Sequence, residues 1–142
     1  MENAQKQIRE FMSKTQQETP DRPSMPDQVV RELRLKAISE KLAELAEAFG
    51  YYLYNEDNSR GVGAPHFTLA HCGHTPNTVE AYGAILNLLA VVIGTAVEMG
   101  LHIEPGWAEV HPSHSPARLK EIVDAQTAYA ESHARQLLLE TL

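Results

Sequence analysis

The stretch Ala84–Val97 limits the fold more than any other part of this 142-residue chain, because it runs for 14 residues without a charge. A membrane span needs about 20 such residues, so a run of this length reads as a core helix. Asn77 with Glu80 three residues on has the spacing of a capping box, and Gly100 after Met99 supplies a stop. Apolar side chains nearly all round predict a central, buried helix. The exceptions are Glu80, Gly83, Asn87, Gly94 and Glu98, which fall on one narrow stripe of the helical wheel.

The remaining segments predict more helices around it. Ile8, Phe11 and Met12 stripe a short amphipathic helix within Glu2–Gln17, and Pro20, Pro23 and Pro26 then make a stiff connector. A second helix starts near Ser24 or Asp27 and stops at Gly50. It sets Leu35, Ile38, Leu42, Leu45 and Phe49 on one arc, with Glu40, Glu44 and Glu47 nearly opposite. Residues 51–77 carry glycines, prolines and a polar run and read as a long loop or insertion, with Tyr51–Tyr54 as a short strand or a fraying helix end. A short helical stretch is expected around Trp107–Val110, and Ser115-Pro116 opens a last helix within 116–142. The expectation is a single all-α domain over 1–142, a bundle of four main helices.

Charge and cysteine use narrow the function. Twelve Lys and Arg against 19 Asp and Glu leave a net charge of −7, which argues against nucleic acid or an anionic membrane as partner. Cys72 is alone, so no disulfide forms within the chain, and Met1–Gln17 lacks the apolar core of an export signal. Both fit a cytoplasmic protein.

Three clusters could carry chemistry. Glu40 and Glu44, one turn apart, with Glu80 from the next long helix, could coordinate Mg²⁺ or Mn²⁺ through hard oxygen ligands. Spacing alone describes a solvated helix face more readily. His66, His71, Cys72 and His74 offer nitrogen and sulfur to Zn²⁺, at no spacing typical of a zinc site. His111-Pro-Ser-His-Ser-Pro-Ala-Arg118 suits a phosphate at a helix start, or a plain interhelix turn with Ser115 as cap.

The layout resembles the MazG-like all-α nucleoside triphosphate pyrophosphohydrolases. Leu33-Arg-Leu-Lys-Ala-Ile-Ser-Glu-Lys-Leu-Ala-Glu-Leu45 is similar to their first metal helix, with its Glu-Glu-x-x-Glu motif. Val79–Ala96, ending in Gly-Thr-Ala, is similar to the second, and Gly100–His111 to the closing segment. Glu40 and Glu44 match the first and third glutamates, with Lys41 in place of the second. Glu80 matches the glutamate of the second motif, while Gly83 and Asn87 stand where aspartates belong. Pro112 and His114 also depart from the pattern, and Ser113 fits.

The resemblance implies cleavage of an NTP or dNTP to the monophosphate and pyrophosphate. It implies Mg²⁺ or Mn²⁺ on Glu40, Glu44 and Glu80, with Asn87 as auxiliary ligand, phosphate contacts from Lys36, His111 or Ser113, and a homodimer or homotetramer. Lys41 and Gly83 leave open an alternative, a degenerate relative that binds a nucleotide or a protein without turnover.

Overall fold

The computed structural model describes residues 2–55, 67–107 and 115–141. Its elements run α1 (Glu2–Lys14), α2 (Gln28–Ala48), β1 (Tyr51–Asn55), β2 (Phe67–His71), α3 (Thr78–Glu98), α4 (Glu104–Trp107) and α5 (Pro116–Thr141). The protein is all-α, with one small antiparallel hairpin among the described residues.

Each long helix begins where a side chain can take up its first free N–H groups. Asp27 Oδ1 accepts the Val30 N–H at 3.0 Å, so α2 starts directly after the third connector proline. Asn77 Oδ1 accepts from Val79 and Glu80 at 2.9 and 3.1 Å, and Ser115 Oγ accepts from Arg118 at 3.2 Å. The stops are equally local: Gly50 and Gly100 have φ of 91° and 67°, the left-handed conformation that closes a helix most readily without a Cβ. The short helix expected at Trp107–Val110 lies earlier, as α4, and residues 108–110 fall outside the described set.

The chain divides into two compact units. The first takes Met1–Arg31 together with Val92–Leu142. In it Gln5, buried on α1, donates through Nε2 to the Leu101 carbonyl at 2.6 Å and accepts the Ile103 N–H at 3.0 Å. The Arg9 guanidinium holds the proline connector by the Thr19 carbonyl (2.9 Å) and the Asp21 carboxylate (3.0 Å). The Ser24 N–H then meets the Met99 carbonyl at 2.8 Å, strapping the connector to the end of α3.

The second unit is Glu32–Val91. The Ala48 carbonyl accepts the Asn77 N–H at 2.9 Å and the Gly50 carbonyl accepts the Cys72 N–H at 3.1 Å, tying the end of α2 to the approach to α3. Between these ties, β1 and β2 pair in the register Tyr51↔His71 through Asn55↔Phe67. The strands replace part of the expected loop because alternate side chains find cross-strand partners, among them the Tyr51 and His71 rings at 4.9 Å.

Two packing expectations need correction. The helix expected to be buried, α3, buries only a few positions, among them Ala81, Ala84, Ile93 and Val97, and leaves Val79, Tyr82, Leu86 and Leu89 exposed. Apolar composition fixes what a helix could bury, and among the described residues too little lies against these α3 positions to cover them. With 21 residues and a mean hydropathy of 1.7, α3 is long and apolar enough to cross a membrane, by length and composition only. On α2 the predicted apolar arc is also incompletely covered: Leu35 and Phe49 are exposed, and the buried positions are Ala46 and Ala48.

Candidate active site

Within the second unit, the last turns of α2 and the first half of α3 line an open, shallow cavity of about 280 Å³ at which Glu44, Glu47, Glu80 and Asn87 are all exposed. Its walls are Glu44, Glu47 and Ala48 from α2 with Glu80, Gly83, Ala84 and Asn87 from α3. The placement follows from helical spacing. Residues 44, 47 and 48 share one face of α2, and 80, 83, 84 and 87 share one face of α3. The alanines and Gly83 keep the space open, and a Cβ built on Gly83 would meet nothing within 4 Å.

The cavity gathers some of the residues singled out by sequence. Glu44, Glu80 and Asn87 line it. Glu40 and Lys36 are exposed on α2 and lie outside the lining, because the cavity takes in only the C-terminal end of that helix. His111 and Ser113 lie outside the described residues, as does His66. His71, Cys72 and His74 sit at the base of the hairpin and join no metal-holding group among the described residues. Glu47 is the carboxylate that motif matching passed over. Its place beside Glu40 and Glu44 on the acidic arc was the available signal.

The donor set consists of three carboxylates and an amide carbonyl, the hard oxygen ligands that Mg²⁺ and Mn²⁺ take. In kind these residues suit a divalent cation, but their placement does not form a site for one. They are not preassembled, since among the described residues no three His, Cys, Asp or Glu side chains are drawn together as a metal centre. Glu44 is engaged elsewhere: its Oε1 accepts from Lys41 Nζ at 3.2 Å.

The first unit holds a larger groove, about 770 Å³, between α1, His102–Pro105 and α5. Size does not make it the better candidate. Its walls are mainly apolar, and two of its cations are already held, Arg9 by Asp21 and Arg118 by Glu121 at 3.0 Å each.

Carboxylates from two helices facing one space are a common way for helical folds to build a ligand site. Residues 6–114 match the phosphoribosyl-ATP pyrophosphohydrolase family, and the chain belongs to that family. It lies within the MazG-like superfamily, on the phosphoribosyl-ATP branch, with nothing that assigns it to MazG itself. No curated protein matches the chain.

Proposed function

We propose that this protein cleaves a nucleotide carrying a triphosphate chain, releasing pyrophosphate and leaving the monophosphate, with Mg²⁺ or Mn²⁺ bound in the cavity of the second unit. The family's name puts phosphoribosyl-ATP beside the common NTPs and dNTPs as a substrate to test. One observation carries the reading: in a chain of a pyrophosphohydrolase family, Glu44, Glu47, Glu80 and Asn87 wall a single cavity.

Charge makes the case for a metal. Three carboxylates and no basic side chain line the cavity among the described residues, so a polyphosphate entering alone would meet net repulsion that the Asn87 amide by itself does not offset. Glu44, Glu80 and Asn87 would hold the cation, which when bound would offset phosphate charge and polarise a water. Glu47 shares the cavity and would take the proton of the attacking water as its oxygen bonds to phosphorus and the bond to pyrophosphate breaks. Asn87 serves through its carbonyl oxygen, which leaves its NH₂ free to donate to a phosphate oxygen.

The test is pyrophosphate release from phosphoribosyl-ATP, NTPs and dNTPs, with Mg²⁺, with Mn²⁺ and with chelator. Release that needs the ion and falls at least a hundredfold in Glu80→Gln is expected. Release that survives both chelator and Glu80→Gln would refute the assigned site.

A second copy of the chain is proposed as partner. Val79, Tyr82, Leu86 and Leu89 follow a 3-4-3 spacing along α3 and are all at least 40% exposed, the pattern of a helix seam awaiting another helix. Light scattering should return twice the 15.8 kDa chain mass.

A further inference from the structure

We propose that the groove between α1 and α5 receives the leucine-rich end of α5 from a second copy of this chain, the two copies exchanging these ends reciprocally. The inference rests on the reading of a second copy as partner and gives the same two copies a further contact, confined to the first unit.

Four observations carry it. The groove, about 770 Å³, has Pro105, Ile122 and Ala125 in its mainly apolar walls, a surface that gains by losing its water to an apolar occupant. The end of α5 offers one: Leu137, Leu138 and Leu139 are 49–73% exposed. They extend the face by which α5 holds its own unit, where Ile122 is buried, Gln126 exchanges hydrogen bonds of 2.9 and 3.0 Å with the His102 backbone, and Ala130 and Ala134 border the connector at Arg22. Leu137 comes next on that face, beyond the connector. Third, the end of α5 cannot reach its own groove. The helix contains no glycine, and no proline after Pro116, so Leu138 stays about 24 Å along the axis from Ile122. Last, the charges match: Lys6 on the α1 wall and Glu140 on the end of α5 are without an ion pair among the described residues.

The exchange closes on itself. Two α5 helices running antiparallel, with a twofold axis between Ala130 and Glu131, set the partner's Leu138 level with Val123 and the partner's Leu139 level with Ile122, and the reverse. Ala125 and the partner's Gln136 come level in the same way, and both belong to one helical face, since 11 residues make about three turns. Tyr129, exposed on that face, stands at the crossing opposite the partner's Ser132. A pair forms and no filament, because each copy gives and receives once. As α5 begins after residue 114, where the family match stops, the exchange is a property of this chain's own extension.

The test uses the full-length chain with Cys72→Ser, Ala125→Cys and Gln136→Cys, oxidised with glutathione disulfide and read by light scattering and non-reducing electrophoresis. Within one helix the two cysteines lie about 16 Å apart, too far for a disulfide, whose Cα atoms stand about 4.4–6.8 Å apart. The doubly substituted chain should therefore link to its partner, while either cysteine alone, about 16 Å from its own copy across the axis, should not. Adding Leu137→Glu should cut the linked fraction at least about tenfold. A dimer by mass that does not link, links as well through a single cysteine, or links despite Leu137→Glu would overturn the exchange and leave the α3 contact standing. A monomer at every concentration would overturn the second copy as partner, and the exchange with it.

Discussion

Replacing Gly100 by alanine should loosen the first unit through the backbone alone. Gly100 has φ of 67°, where an alanine pays roughly 1–2 kcal/mol. The added Cβ would also fall onto the Arg22 carbonyl oxygen, 2.6 Å from the Arg22 carbonyl carbon and 3.2 Å from Pro23 N. Backbone cannot rotate away as a side chain would, so the connector must lift. Its hydrogen bond from Ser24 N–H to the Met99 carbonyl goes with it, at a net cost of about 1 kcal/mol. Together these give about 2–3 kcal/mol, which for a chain of this size lowers the melting temperature by roughly 5–10 °C. Thermal unfolding followed by circular dichroism reads it. Gly73→Ala is the control, because Gly73 also has a positive φ, 80°, but its Cβ would meet nothing within 4 Å. Its drop should be smaller, and the difference between the two isolates the strap. Gly100→Ala melting within about 1 °C of the unaltered chain, or no lower than Gly73→Ala, would refute the argument.

Two further substitutions test other parts of the molecule. Gly83→Ala should raise stability by about 0.5–1 kcal/mol, since it removes glycine from a helix interior with open space at its Cβ. Gly83→Asp should instead tighten Mn²⁺ binding severalfold by adding a fourth carboxylate to the cavity, and calorimetry would detect it. Gln5→Leu should cost about 2–4 kcal/mol in urea unfolding, because the Leu101 carbonyl and the Ile103 N–H would lose their partners together.

Helix boundaries were legible because their causes are local. Asp27, Asn77 and Ser115 as caps, and Gly50 and Gly100 as stops, act on atoms within a few residues of themselves. The polar stripe of α3 was legible for the same reason, and Glu80, Gly83 and Asn87 do share one wall of one cavity. What depends on distant residues was not. Tyr51–Tyr54 reads in sequence as either a short strand or a fraying helix end, and only Phe67–His71 alongside decides for the strand; no short turn signal announces that partner across 11 intervening residues. Glu40 and Glu44 have the same local pattern, and only the position of α3 separates the one outside the cavity from the one inside. The buried Gln5 was invisible for a plainer reason, since its partners stand 96 and 98 residues away in sequence.

The two units also differ in how the ribosome would deliver them. Glu32–Val91, which holds the acidic cavity, is one unbroken stretch and can close as soon as it has emerged. The other unit joins the first residues of the chain to the last, so α1 cannot dock until Leu101 and Ile103 exist. At bacterial-to-eukaryotic synthesis rates that wait is roughly 5–20 s. The acidic cavity is therefore the older structure in the life of each molecule, assembled while the helix that began the chain still lacks the residues that will hold it.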